Sequence, residues 1–153
     1  MSVLPAREPL EAVAERLRAA GIGYALGGSS MLYAIGLESR VGDWDLTTDI
    51  AVDEVTRALG DLKPVRHGNS GVHADHKLVC FGATVEVICR MAFFARTGIV
   101  HIPTIATGTW QGHPIGSPAA WAVAYALMAG EKPGYEAKAE RLFAWTAGRI
   151  SDA

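Results

Sequence analysis

At 153 residues, the chain is long enough to bury a hydrophobic core without disulfides or structural metals, and it is too short for two domains of typical size. Its net charge of −2 excludes the broad basic surface that nucleic-acid-binding proteins use, although a small nucleotide needs only a local positive site. Neither a signal peptide nor a membrane span is predicted, because the N-terminus carries early charges and the apolar run at 121–130 is too short. We therefore expect one cytoplasmic domain over residues 1–153, with a core at about 7–110 and a helical part at about 117–150.

Hydrophobic periodicity predicts the elements of the N-terminal half in turn. An amphipathic helix is expected over 9–20, a short strand over 24–26, a helix over 31–37 and then a strand that carries two aspartates. A second amphipathic helix is expected over 52–59. Residues 62–66 are predicted to form an edge strand because Pro64 interrupts them, and the polar residues 67–75 are predicted to form a loop.

The C-terminal half begins with two predicted strands, over 76–81 and 85–90, joined at 82–84. Residues 91–97 have no clear pattern, and 99–110 hold short β-like pieces. Ser117 and Pro118 suit the cap and first position of a helix reaching about residue 128, and a final helix is expected over 135–147. Cys80 and Cys89 lie on the two arms of the predicted hairpin but not opposite each other, so free thiols in a reducing compartment are expected.

The stretch over 24–49 is the one that indicates function. An apolar run leads into Gly27 and Gly28, where the lack of side chains lets the backbone turn sharply and approach a phosphate closely. Ser29 is predicted to cap the following helix, whose free N–H groups form an anion site. Ser30 follows in the same loop.

Three carboxylates accompany this glycine loop. Asp43 and Asp45 are two residues apart on a predicted strand, so their side chains point to the same face, while Trp44 and Leu46 point to the core. Glu86 stands in an otherwise apolar strand, where a glutamate is costly to bury without a partner. If the two strands are neighbours, the three carboxylates converge, and a hard divalent cation such as Mg²⁺ would relieve their repulsion.

In combination, these residues resemble the nucleotidyltransferase superfamily to which DNA polymerase β belongs, and most of all its small bacterial members. Those members include antibiotic nucleotidyltransferases and the nucleotidyltransferase partners of toxin–antitoxin pairs. The shared pattern is an apolar residue with Gly-Gly or Gly-Ser, a helix, Asp-x-Asp, and a later strand with one acidic residue. It is matched here by residues 26–29, 43–46 and 85–87, and thirteen residues separate Ser29 from Asp43.

The resemblance implies an α+β nucleotidyltransferase fold, in which helices flank a short mixed sheet and further helices are appended at the C-terminus. It implies transfer of a nucleoside monophosphate from an NTP to a hydroxyl, with two Mg²⁺ ions held by Asp43, Asp45 and Glu86. It also assigns catalysis to those three carboxylates, with Glu86 orienting or deprotonating the acceptor hydroxyl. The residues expected to bind the nucleotide are Gly27, Gly28, Ser29, Ser30 and Arg40.

The chain departs from the family pattern after Ser117–Pro118. Many relatives carry an acidic residue there and a lysine one or two turns along the helix, whereas this chain has Ala119, Ala120 and an uncharged helix. Lys132 and Lys138 come later in the sequence. A degenerate module that binds a nucleotide or a small protein partner without catalysis is therefore an open alternative, as is one half of a toxin–antitoxin pair.

Several other residues allow two interpretations. Arg40, Lys77 and Arg90 suit either phosphate binding or an ordinary surface position, and His73 with His76 suits a metal site only weakly. Surface or structural roles are expected for His67, His101 and His113. Core positions are expected for Phe93, Phe94, Trp121, Tyr125 and Met128. The acceptor is not specified by the sequence, although the acidic balance disfavours RNA.

Overall fold

The computed structural model describes residues 3–68 and 71–151, so part of the predicted loop at 67–75 and both ends of the expected domain lie outside the described residues. The helices are α1 (Arg7–Ala19), α2 (Gly28–Ala34), α3 (Val52–Ala58), α4 (Pro118–Leu127) and α5 (Tyr135–Ser151), with a 3₁₀ turn at Gly60–Leu62. The strands are β1 (Ala25–Gly27), β2 (Trp44–Thr48), β3 (Val65–His67), β4 (His76–Cys80), β5 (Val85–Cys89), β6 (Ala92–Ala95), β7 (Gly98–His101), β8 (Ala106–Trp110) and β9 (His113–Gly116).

Seven strands form one mixed sheet in the order β3-β4-β5-β2-β1-β9-β8. Within it β2 is parallel to β5 and β1 is parallel to β9, while the other neighbours are antiparallel. Strands β6 and β7 form a separate antiparallel hairpin. The prediction of an α+β fold with helices on a mixed sheet is confirmed.

Two clusters of buried apolar side chains pack on this sheet. The first joins α1 and α3 to the strands through residues such as Leu10, Leu17 and Leu46. The second joins α2, α4 and α5 to the β6–β7 hairpin, with Phe93 and Leu142 fully buried. The glycine loop ends where α2 begins, and α2 belongs to the second cluster. The C-terminal helices therefore pack against the helix that follows the glycine loop.

The edge strand β3 begins later in the chain than its sequence pattern predicts. After α3, the backbone forms a 3₁₀ turn at Gly60–Leu62, and Lys63 then takes a left-handed conformation with φ 52°. These two features displace the strand from the predicted 62–66 to Val65–His67. The edge position itself is confirmed, because β3 pairs only with β4 in the described sheet.

The unassigned stretch 91–97 forms much of the β6–β7 hairpin, in which Phe93 and Phe94 face opposite sides. Phe93 is fully buried, as predicted, but Phe94 is 48% exposed. The prediction that Phe94 is a core residue is wrong. Its neighbour already fills the buried side of the strand, so the alternation of side chains leaves Phe94 on the outer side.

The two cysteines are free thiols, as predicted. They lie on adjacent strands but in different registers, since Cys80 pairs with Val85 and Cys89 pairs with His76. Burial raises the pKa of the Cys80 thiol to about 11 and that of Cys89 to about 12, so both are protonated and unreactive near neutral pH. Among residues 3–68 and 71–151, none of the helices has the length and apolar character needed to cross a bilayer.

His113 is buried in a polar network between α1 and β9, which suits a structural role. The Tyr24 hydroxyl lies 2.7 Å from Nδ1 of His113, and the Nε2 atom of His113 lies 2.7 Å from the Glu11 carboxylate. Arg18 donates a hydrogen bond of 2.7 Å to the Tyr24 hydroxyl. With the proton of His113 on Nε2, the hydrogen bonds run from Arg18 through Tyr24 and His113 to the Glu11 carboxylate. This network ties α1 to β9, which stands beside the glycine loop's strand β1.

We predict that Glu11→Gln lowers stability at neutral pH but not at acidic pH. The hydrogen bond from His113 lowers the pKa of Glu11 in the folded protein, so its stabilising effect is present above the unfolded pKa and is lost as pH falls through the folded pKa. Because Glu11 is half exposed, we expect a loss of only about 0.5–1 kcal/mol. Urea unfolding at pH 7 and at pH 3 measures it, and an equal loss at both values would contradict the prediction.

Candidate functional site

The three carboxylates meet at one end of the parallel pair formed by β2 and β5. Asp45 lies directly beside Glu86 in the register of these strands, and Asp43, just before β2, projects to the same face. Trp44 and Leu46 alternate to the opposite face and are buried. One carboxylate oxygen from each of the three residues lies within 4.8 Å of the others, which confirms the predicted convergence.

The electrostatics of this triad favour a bound cation. Burial raises the pKa of Asp43, and the neighbouring charge of Glu86 raises it further. Burial also raises the pKa of Asp45 well above its usual range, and the charges of Asp43 and Glu86 add to that increase. The Lys77 ammonium lowers both values but does not cancel these effects. Among the described residues, no other group of three metal-ligating side chains is this close.

The glycine loop is shaped by close packing on both of its glycines. A Cβ on Gly27 would lie 2.2 Å from Cζ2 of Trp121, so its side-chain position is filled by the indole of α4. Gly28 has φ +52°, and a Cβ there would lie 2.5 Å from Oδ2 of Asp45. The structure therefore places Gly28 against the carboxylates and Gly27 against the core.

The two serines after the glycines occupy different environments. The Ser30 side chain is buried and accepts a hydrogen bond of 3.2 Å from the backbone N–H of Asp45. Its contact is thus with the strand that carries the carboxylates. Ser29 is partly exposed, but it does not cap the helix as predicted, because α2 already begins at Gly28 and has no side-chain cap.

Two clefts include Asp43 and Asp45 in their linings. We call the first the Glu86 cleft; it has a volume of about 210 Å³ and reaches from Glu86 to the loop between α4 and α5. We call the second the Ser29 cleft; its volume is about 430 Å³ and it also contains Arg40 and Lys138. Tyr125 and Tyr135 line both clefts, so the aromatic side chains of α4 and α5 stand between them.

Lys138 is a cleft residue that sequence reasoning did not assign. Its ammonium lies 5.4 Å from the centre of the Tyr125 ring and 5.5 Å from that of Tyr135, which holds the cation between two aromatic faces. Arg40 also lines the Ser29 cleft and is exposed. No periodic signal marks Lys138, because it reaches the cleft only through the packing of α5 against α4.

The remaining candidates divide between the clefts and the rest of the surface. Lys77 and His73 line the Glu86 cleft, and His73 Nε2 lies 3.1 Å from a carboxylate oxygen of Glu131. Arg90 instead donates to the backbone oxygen of Asp49 over 3.1 Å, at the far end of its strand. His67 and His101 are exposed. His73 and His76 do not belong to the metal-ligating group found within the described residues.

Comparison with known proteins shows what fold this arrangement belongs to. No protein-family model matches the sequence, and no curated protein matches it. A provisionally assigned nucleotidyltransferase from Thermotoga maritima is similar in structure, with 20% identity, a TM-score of 0.53 and coverage of 91% of each chain. ANT(2″)-Ia in complex with adenylyl-2″-tobramycin is similar with 16% identity, a TM-score of 0.61 and coverage of 93% of this chain and 89% of that one.

The solution structure of the antibiotic-resistance factor ANT(2″)-Ia is also similar, with 16% identity and a TM-score of 0.55, over 94% of this chain and 91% of that one. Each of these likenesses covers more than nine-tenths of this chain. The chain therefore has the nucleotidyltransferase fold, and the fold expected from the glycine loop and the carboxylates is confirmed.

We predict that Gly27→Ala destabilises the protein by about 1–3 kcal/mol, because the added methyl group has no space beside the rigid indole of Trp121. Gly60→Ala is the matched control, since a Cβ at Gly60 meets no atom within 4 Å. Urea unfolding of both variants measures the difference. Equal stability of the two variants would show that Trp121 is free to move away from the loop.

Proposed function

We propose that this chain is a Mg²⁺-dependent nucleotidyltransferase that moves a nucleoside monophosphate from an NTP to a hydroxyl acceptor, with release of pyrophosphate. The observation that carries the proposal is the convergence of Asp43, Asp45 and Glu86 within 4.8 Å beside the glycine loop. The nucleotidyltransferase fold supports it, and so do the two clefts that include Asp43 and Asp45 in their linings.

Magnesium fits the carboxylate triad by the chemistry of its ligands. Oxygen ligands from one to three carboxylates suit a small hard cation, and raised pKa values at Asp43 and Asp45 show that the ionised group is unfavourable on its own. Asp43, Asp45 and Glu86 would hold the metal, with two ions expected. Bound there, magnesium would supply charge stabilisation for the phosphates and lower the pKa of the attacking hydroxyl.

The chain's own groups orient the reactants around the α-phosphorus. The acceptor oxygen forms a new bond to that phosphorus, while the bond from phosphorus to the oxygen of the departing pyrophosphate breaks. Glu86 lines only the Glu86 cleft, which we assign to the acceptor, and there it would orient the hydroxyl and take its proton. Asp45 is held in place by Ser30 through its backbone N–H, so Ser30 acts as a positioning residue.

The Ser29 cleft is assigned to the triphosphate and the nucleoside. Three groups support this assignment: the Ser29 side chain beside Gly28, the exposed Arg40, and Lys138. The cations in the cleft suit the negative charge of a triphosphate, and the partly exposed ring of Tyr135 suits a nucleobase. Lys138 would thereby take the role of the lysine that α4 lacks.

The proposed cellular setting is the cytoplasm, where NTPs and magnesium are abundant and where buried Cys80 and Cys89 would stay reduced. A non-catalytic module is the competing interpretation. It would bind Mg²⁺ and nucleotide in the same clefts but would release no pyrophosphate with any acceptor, so the two interpretations differ in one measurable product.

We predict that Asp45→Asn and Glu86→Gln each reduce pyrophosphate release at least about 100-fold while leaving the fold intact. Each substitution removes one charge of the triad, so Mg²⁺ should also bind about ten-fold more weakly or worse. Pyrophosphate release in cell lysate supplying acceptors, together with calorimetric titration of Mg²⁺, measures both effects.

The matched control is Glu54→Gln, an exposed position on α3 outside both clefts, which should leave release and Mg²⁺ binding unchanged. Full activity of the Asp45 variant would refute the mechanism. Binding of Mg²⁺ and ATP without any pyrophosphate release by the wild-type protein would favour the non-catalytic module.

We predict that Lys138→Gln weakens binding of Mg·ATP about ten-fold, the usual effect of losing one charge-assisted contact to a phosphate. Lys63→Gln is the control, because it removes the same charge from a site outside both clefts. Calorimetry with a non-hydrolysable ATP analogue gives the two dissociation constants. Identical values would show that the ammonium between Tyr125 and Tyr135 does not contact the nucleotide.

A further inference from the structure

The Glu86 cleft carries an uneven set of charges once the carboxylate triad is set aside. Lys77 on β4 and Lys132 in the loop after α4 both line it. Neither lysine takes part in any ion pair of the described residues. The one further carboxylate of the lining is Glu131, and it is engaged by His73 at 3.1 Å. Both ammonium groups also act on the triad, because each lowers the pKa of Asp43. Once bound Mg²⁺ neutralises the triad, the charge left available to a ligand in this cleft is positive.

Four apolar side chains also line the Glu86 cleft. Ile88 and Met91 follow Glu86 along the chain, Phe93 comes from β6, and Met128 comes from the end of α4. All four residues are at most 8% exposed and belong to the second hydrophobic cluster, so together they form an apolar wall of the cleft. A ligand that lies against this wall must present an apolar face to it.

The acceptor belongs in this cleft if the proposed function is correct, and the inference rests on that function. Glu86 faces this cleft and is absent from the lining of the Ser29 cleft, where Ser29, Arg40 and Lys138 suit the triphosphate. The hydroxyl that Glu86 orients must therefore enter the cleft that Lys77 and Lys132 line. These two lysines come from different elements, Lys77 from β4 and Lys132 from the loop after α4.

We propose that the acceptor is a small alcohol with an anionic group and an apolar face, and that polycationic aminoglycosides are not substrates. The anionic group contacts Lys77 and Lys132, and the apolar face packs on Phe93 and its neighbours. A polycation would have no free carboxylate to bind in this cleft, because the triad would hold the metal and Glu131 already contacts His73. Its ammonium groups would instead face two lysines, and such like-charge contact is unfavourable for binding.

Three small alcohols that share a phenyl ring and differ in charge test this inference: phenyllactate, 3-phenyl-1,2-propanediol and phenylalaninol, with tobramycin as the polycation. Their dissociation constants are measured by ligand-observed NMR on the full chain with Mg²⁺ and a non-hydrolysable ATP analogue. We expect phenyllactate to bind about ten-fold tighter than phenylalaninol, and tobramycin not to compete with it.

The Lys77→Gln/Lys132→Gln double variant should bring the ratio of the two dissociation constants close to one. Lys132→Glu, a substitution in an exposed loop, should reverse the preference, and it serves as the second test if the double variant is unstable. Lys63→Gln, with the same loss of charge elsewhere, should keep the wild-type ratio. Preference for phenylalaninol or tobramycin, binding of none of the probes, or an unchanged ratio in the double variant would overturn the inference.

Binding of the ATP analogue is measured first, which separates this inference from the function on which it rests. If Mg²⁺ and the analogue do not bind, the proposed nucleotidyl transfer fails and the acceptor assignment fails with it. If they bind but phenyllactate is not preferred, only the assignment of an anionic acceptor fails. Nucleotidyl transfer would then remain supported, with an acceptor of different charge.

Discussion

The functional architecture depends on the parallel pairing of β2 with β5, which sets Asp45 beside Glu86 and brings Asp43 to the same face. Repulsion among three carboxylates works against this arrangement. It is held by the opposite faces of the same strands, where Trp44, Leu46 and Val87 are almost fully buried. A slip of one residue would send the aspartates into the core, so hydrophobic burial fixes the register that keeps the like charges together.

A second constraint comes from the way α4 packs against the glycine loop. The indole of Trp121 fills the space where Gly27 would carry a side chain, and its Nε1 lies 3.1 Å from the position of a Cβ on Gly116. Strands β1 and β9 thus each have a glycine where the Trp121 side chain of α4 packs against them. This close approach brings Tyr125, one turn further along α4, to the line between the two clefts. The shape of the site therefore depends on small residues in the sheet as much as on charged ones.

The convergence of the three carboxylates could be predicted from the sequence because it follows from short-range rules. Alternation along a strand places Asp43 with Asp45, and Glu86 is conspicuous as a charge in an apolar strand.

Phe94 was wrongly expected in the core, since an apolar residue on a short strand does not reveal which face is covered. Ser29 was wrongly expected to cap α2, because the helix begins one residue earlier. Lys138 and the contact of His73 with Glu131 depend on how α5 packs against α4 and on where the loop between them lies, and no local pattern specifies that packing.

The residues that could be predicted and those that could not come from different parts of the fold. The sheet supplies the carboxylates, whose positions are fixed by backbone pairing. The segment from the end of α4 into α5 supplies Glu131, Lys132, Tyr135 and Lys138, which line the clefts but lie outside the sheet. On the proposed assignment, chemistry resides in the part held by strand register, and selection of substrates resides in a helical segment that can change its side chains without disturbing that register. Charge at a few positions of this segment would therefore be enough to change the acceptor while the transfer reaction stays the same.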